Sequence, residues 1–326
     1  MFGYDKLKLV LDAEDIVVID EFAFEKRIVE DEIVSLTFEQ QEPFLLKIKI
    51  DYNQGEAVVE FTGKALLSEY HNLIRLSNIR TAISNINAIG VCEINNYMSA
   101  EVVKCDSTID VYHPYVRGVS DFINSNLSSY KKYNGRYLTN GNFIVEKNVT
   151  TKQCKKRLTI YNKFSEMEMA KHRKFLKEYY NDENPFVRKN CRFELNLNSK
   201  EQIRSSLHLI NTKLVNVLLA AKDVNPIYEF LAQIISEDAT FAVQGHKIKD
   251  YHNELVLKDC DYDIKKVEAK LRQYYSGGTK MRTLLKPFRK MLSMINDKQG
   301  EYTRDKILSL VKNETQITSR MIFECT

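Results

Sequence analysis

Arg157-Leu158-Thr159-Ile160-Tyr161-Asn162-Lys163-Phe164-Ser165-Glu166 is the stretch whose reading decides the fold. Its first five residues have the content of a strand, and helical periodicity begins near Ser165 and runs to about residue 180. Asn181-Asp182-Glu183-Asn184-Pro185 must end that helix, because proline pushes the residue before it out of the helical region. A further strand over 188–197 contains Cys191-Arg192-Phe193-Glu194, and upstream Ser107-Thr108-Ile109-Asp110 has the same form. Three strand-like apolar runs therefore each end on a carboxylate: Asp110, Glu166 and Glu194.

Outward from these runs, residues 6–62 read as β-rich, with alternation in Lys6-Leu7-Lys8-Leu9-Val10-Leu11, in 45–50 and in 57–61. Asn53-Gln54-Gly55 fits a hairpin turn between the last two. Residues 64–89 carry apolar positions at helical spacing with a break near Asn78, and 92–112 read as a strand or hairpin. Residues 116–127 look helical, 130–142 form a polar loop rich in tyrosine and asparagine, and 143–145 form a strand. After Ser199 the character changes: 200–222, 226–237, 263–275, 281–295 and 303–313 all have helical periodicity. This places a boundary near 200–225 and divides the chain into a β-rich domain, 1–210, and a helical domain, 211–326, with Ser276-Gly277-Gly278 its most flexible-looking point. No internal repeat or low-complexity tract is evident.

The 326 residues suffice for two domains or one large domain with a helical extension. No run approaches the roughly 20 apolar residues of a membrane helix, and the start lacks the layout of a signal peptide. The expectation is a cytoplasmic protein with no membrane contact. Six cysteines lie far apart without a CxxC pair, which fits reduced, packed thiols rather than zinc. The net charge is only +4, yet basic residues bunch at 152–157, at 171–174 and at 280–290, as a polyanion partner would require and as solvated helix faces also show.

Alternation turns Asp110 and Glu194 away from their immediate apolar neighbours, and Glu166 sits where strand passes into helix. Acids placed so can converge on one Mg²⁺ or Mn²⁺, which prefer oxygen ligands; the other reading is charge on a half-exposed sheet face. The six histidines, at 71, 113, 172, 208, 246 and 252, are scattered, with no His-hydrophobic-His pair. His113 is kept as an outside candidate for a fourth ligand.

The Ile-Asp of 107–110, the Tyr-x-Lys-x-x-Glu of Tyr161, Lys163 and Glu166, and the Arg-Phe-Glu of 192–194 occur in an order that resembles the gene II/X family of filamentous-phage replication initiators. More distantly they resemble the trans-acting rolling-circle initiators of small Gram-positive plasmids. The resemblance covers about residues 45–210. It implies an α+β fold with an antiparallel central sheet and helices on one face, a palm of the Rep and relaxase kind, followed by a mainly helical C-terminal region. It also implies an enzyme that nicks one DNA strand at an origin through a tyrosine, leaving a 5′-phosphotyrosyl intermediate and a free 3′-OH for a polymerase. By position, Asp110, Glu166 and Glu194 would hold the metal, Lys163 would contact the phosphate, and Arg192 would brace the sheet or contact DNA.

For the nucleophile, the pair Tyr179-Tyr180 lies between the second and third acids, where the phage-type initiators carry a tyrosine. Fourteen residues of unbroken helix from Glu166 to Tyr180 would span roughly 21 Å at 1.5 Å per residue, so a shared site needs a late start or a break. Tyr133 and Tyr137 are alternatives in the plasmid-type position, and Tyr274-Tyr275 a third. DNA contacts are expected from Lys131, Lys132 and Arg136, from 152–157, and from Lys171, Arg173 and Lys174, with tyrosines stacking on the unpaired strand. Arg282, Lys286, Arg289 and Lys290 share one helix side, either as a duplex-reading helix or as a solvated face. The expected partners are single-stranded and duplex origin DNA, with a host helicase and polymerase. A relaxase of a mobilisable element shares this chemistry, and a DNA-binding protein without catalysis is the rival of a different class.

Overall fold

Strand β1 (Gly3–Asp12) turns Leu7 and Leu9 to one side of a sheet and Lys6 and Lys8 to the other, the alternation its sequence dictates. The structure is a computed structural model that describes residues 2–128, 133–147, 156–237, 248–260, 263–275, 278–296 and 302–312. Around β1 a ten-stranded, wholly antiparallel sheet forms. One wing holds β3 (Glu25–Val29), β4 (Glu32–Gln40), β5 (Leu46–Asp51) and β6 (Glu56–Thr62), and β6 returns to pair with β1. The other holds β8 (Glu101–Val111), β9 (Tyr133–Tyr137), β10 (Phe143–Lys147), β11 (Arg157–Asn162) and β12 (Cys191–Leu197), and β12 returns to pair with β8. Both wings thus have the same strand order and join where β1 pairs with β8, a topological repeat without a counterpart in the sequence. A separate ribbon pairs β2 (Ile16–Val18) with β7 (Cys92–Ile94).

Leu7, Leu9, Val59, Phe61, Cys105, Ile109, Ile160, Phe193 and Leu195 line the apolar face and are fully buried. Against this wing pack α2 (Val116–Ser125), α5 (Lys200–Leu207), α6 (Leu214–Ala220), α7 (Pro226–Ile234) and α11 (Arg304–Val311), while α1 (Ile79–Asn87) adds Ile79, Ile83 and Ile86 to the same core. This large core does not divide at residue 210, since Leu214, Phe230, Ile307 and Val311 all belong to it. A second, smaller core joins α8 (Ile248–Asp259), α9 (Ile264–Arg272) and α10 (Gly278–Asn296) through Leu257, Val267, Met281, Leu285 and Phe288. On α10 the charges Arg282, Lys286, Arg289 and Lys290 are exposed around the buried Leu285 and Phe288.

Two expectations need correction. Residues 133–137 are not loop but strand β9, because Tyr133 and Tyr137 alternate inward, and Tyr133 meets Phe230 edge-on at 5.3 Å. The helix expected over 165–180 is two helices, α3 (Lys163–Met167) and α4 (Arg173–Tyr180), separated at Met169 by extended backbone (φ −64°, ψ 147°) and a 3-10 turn over Ala170–His172. Four of the six cysteines, Cys92, Cys105, Cys191 and Cys260, are buried free thiols; Cys154 and Cys325 lie outside the described residues. Among the described residues, no helix is long and apolar enough to cross a membrane.

Candidate functional site

The sheet's other face is polar, and register alone sets its centre. Arg192 on β12 stands opposite Asp110 on β8 and Tyr161 on β11; two residues along, Glu194 stands opposite Thr108 and Thr159; beyond it, Asn196 stands opposite Asp106. Asp5 reaches the same face through a bulge. Tyr4 pairs with Ser107 and Lys6 with Asp106, so Asp5 is the extra residue, and both Asp5 and Lys6 turn to the polar side.

Arg192 is fully buried. Its Nε donates to Asp110 Oδ1 at 2.6 Å and its Nη2 to Asp110 Oδ2 at 2.7 Å, the forked geometry that a guanidinium offers a carboxylate. Its Nη1 lies 3.0 Å from Asp5 Oδ1 and donates to the Tyr70 hydroxyl at 3.3 Å. Burial alone would push the Asp5 carboxyl up, but Arg192, Lys163 and the Tyr70 hydroxyl outweigh it and hold Asp5 below the usual aspartate value. Arg192 therefore braces the sheet, and its burial corrects the expectation that it contacts DNA.

Asn162 caps α3 by accepting from Ser165 N at 2.9 Å, which converts the end of β11 into a helix start and presents Glu166. Lys163 is buried within 6.0 Å of the Tyr70, Phe186 and Tyr161 ring centroids, and its Nζ meets Glu166 Oε2 at 2.7 Å. The other oxygen of Glu166 makes a short hydrogen bond to His172 Nε2 and lies 3.5 Å from Lys171 Nζ. Burial opposes ionisation of Glu166, yet His172 and Lys163 overcome it and hold the carboxyl far below the ordinary glutamate range.

Asp106 and Glu194 are different. They share the Asn196 amide, which donates to Asp106 Oδ1 at 2.7 Å and Glu194 Oε1 at 3.2 Å, and the Tyr161 hydroxyl donates to Glu194 Oε2 at 3.2 Å. Neither has an ion-pair partner among the described residues. Burial, then Asp106 and Asp5, raises the Glu194 carboxyl to about 7; burial, with Asp5 adding, raises Asp106.

The three expected acids thus share one face, but each is held separately. Asp110 and Glu166 do not fit as metal ligands in this arrangement, because buried cations already occupy their oxygens. Asp106 and Glu194 do fit, as adjacent carboxyls without a cation. Among the described residues, no set of three or more His, Cys, Asp or Glu side chains is arranged to hold an ion; Mg²⁺ commonly takes one or two carboxylates and completes its shell with water and substrate phosphate.

Tyr180 lies away from the acids: its hydroxyl donates to Leu67 O at 3.3 Å and lies 3.3 Å from His71 Nδ1, and burial raises it to about 12. Tyr179 stands beside Glu178, with its ring 5.0 Å from Phe175. Tyr133 and Tyr137 face the helix-covered side; the Tyr137 hydroxyl donates to Asp121 at 2.6 Å and its ring lies under Arg117 at 3.4 Å. His113 accepts from Tyr115 N at 3.1 Å and packs on Tyr302 at 5.5 Å, and Tyr274 and Tyr275 are exposed. Arg136 pairs with Glu146 at 3.2 Å, Lys174 with Glu42 at 2.8 Å, and Arg173 is exposed. Lys131, Lys132 and most of the basic run 152–157 lie outside the described residues.

Sequence reasoning passed over Asp5, Asp106, Tyr70 and His172. Asp106 could have been found, since it shares the parity of Asp110. No family model matches the chain, and no curated protein or solved structure matches it either.

Proposed function

We propose that this polar face nicks and rejoins one strand of DNA in the cytoplasm, as a rolling-circle replication initiator of the gene II/X kind does. The observation that carries the reading is the meeting of three distant motifs, 107–110, 160–166 and 191–194, on adjacent strands, with the Tyr161 hydroxyl on a carboxylate of raised proton affinity, Glu194. A carboxyl near 7 is matched to accept a proton at neutral pH. Glu194 takes the proton of Tyr161 as the phenolic oxygen bonds to phosphorus, the bond from phosphorus to the 3′-oxygen breaks, and the leaving oxygen takes a proton from water, so that a 3′-OH is left for a polymerase to extend. Burial, with the Glu194 charge adding, raises the Tyr161 phenol well above its ordinary value, so the attack needs a base at its hydroxyl. Lys163 supplies positive charge beside the phenol. A Mg²⁺ or Mn²⁺ ion would be held by Asp106, with water and the phosphate completing its shell, and would polarise the phosphate while Glu194 stays free to take the proton.

The test is incubation with labelled single-stranded oligonucleotides tiling the source replicon, in Mn²⁺. A covalent adduct is expected from the natural protein and none from Glu194→Gln or Asp106→Asn. No adduct across the whole set, with DNA binding unchanged in both variants, would leave a DNA-binding protein without catalysis.

A further inference from the structure

Beside Glu166, on the side away from β12, a cleft of about 530 Å³ opens between residues 41–43 and α4. Its floor carries Lys64, His172 and Phe175, and its rim Lys171, Lys174 and the exposed carboxylates Glu42 and Glu178. Lys64 belongs to the 3-10 segment Gly63–Asn72. Its Nζ donates to His172 Nδ1 at 2.8 Å and lies 4.7 Å from the Phe175 ring centroid. His172 Nε2 faces Glu166, which turns Nδ1 toward Lys64. Lys64 is thereby positioned by an imidazole and not by a carboxylate. Lys174 has Glu42, and Lys171 and Lys163 share Glu166, but among the described residues no carboxylate lies within ion-pair distance of Lys64. Burial, with Lys163 nearby, lowers the Lys64 ammonium to about 8, so it remains mainly charged at neutral pH.

A partly buried cation that is held in place, sits at the bottom of an open cleft and lacks a counter-anion is an anion site. We infer that this cleft takes a backbone phosphate of single-stranded DNA, with Lys64 as its principal donor, Lys171 at its rim and Phe175 as its apolar wall. The inference rests on the nicking-joining reading for its choice of anion. Glu166 and His172 lie between the cleft and Lys163, so the phosphate bound here would be a neighbour of the one attacked.

The experiment is fluorescence anisotropy of labelled oligo(dT) against salt concentration, with the full chain and the variants Lys64→Met and Lys64→Arg. Methionine keeps the packed stem and removes the charge. One phosphate contact on a single strand contributes about 0.7 to the slope of log K against log salt, so Lys64→Met should lower the slope by about 0.7 and Lys64→Arg should restore most of it. In the natural protein, acylation at about pH 8, followed by mass spectrometry, should label Lys64 and be blocked by oligo(dT). That second readout needs no variant and so survives any folding defect. An unchanged slope in Lys64→Met, or labelling of Lys64 that oligo(dT) leaves untouched, overturns the inference, and labelling blocked by pyrophosphate but not by DNA overturns it too. None of these readouts involves strand cleavage: loss of the Lys64 effect with adducts still forming removes this site alone, while a Lys64 effect without adducts removes the catalytic reading alone.

Discussion

Glu194→Gln should make the protein more stable, and only at higher pH. In the fold, burial, Asp106 and Asp5 lift the Glu194 carboxyl to about 7, against the ordinary 4.5 of a free glutamate. The folded state therefore holds the proton more tightly than the unfolded chain. The sign follows: stability from this group is fully present below about pH 4.5 and is lost as pH rises through about 7. At about 1.4 kcal/mol per pH decade the gap amounts to about 3 kcal/mol, an upper figure because Glu194 keeps some exposure and shares its repulsion with Asp106. Glutamine keeps the shape and still meets Tyr161 and Asn196 without the charge. Urea unfolding followed by circular dichroism, repeated across pH, should show the two proteins converging in acid and the variant ahead by up to about 3 kcal/mol above pH 7. Mn²⁺ should narrow that gap, since an ion on Asp106 offsets the charge that Glu194 meets. Parallel curves at every pH would refute the reasoning that these carboxyls repel each other.

Arg192→Met should cost about 3–5 kcal/mol in urea unfolding, because Asp5 and Asp110 would be left buried without their cation; a loss under 1 kcal/mol would deny the brace. Gly118→Ala on α2 should lower stability by about 1–3 kcal/mol, since its methyl would run into the Tyr302 hydroxyl and meet the Tyr115 ring at 2.5 Å; calorimetry reads this as a lowered Tm. Tyr137→Phe should cost about 1 kcal/mol through the lost bond to Asp121 and leave adduct formation intact, and an adduct lost in a folded variant would return Tyr137 to the chemistry.

Much of this fold was legible in short-range pattern. Period-two alternation located β1, β5 and β6, strand-like content located β11 and β12, and Pro185 marked the end of α4. What period cannot express was lost. The bulge at Asp5 depends on a register between strands a hundred residues apart, so nothing local flags that side chain. The break at Met169 lies inside a run whose apolar spacing stays helical, and only the packing of His172 under Lys64 and Glu166 reveals it. Strand β9 hid because Tyr133-Asn134-Gly135-Arg136-Tyr137 has loop composition; its inward tyrosines matter only beside Phe143 and Phe230. The acids were legible as residues but not as states. Whether a carboxylate is neutralised, as Asp110 is by Arg192, or crowded, as Glu194 is by Asp106, follows from pairing across strands.

In the proposed chemistry a tyrosine on the polar face becomes covalently joined to DNA. The direct measurement is mass spectrometry of the peptide that carries the oligonucleotide after reaction in Mn²⁺. A phosphotyrosyl linkage is expected at Tyr161, with its loss in Tyr161→Phe. A linkage at Tyr179 or Tyr180 instead, or a Tyr161→Phe variant that still forms the adduct, would contradict it.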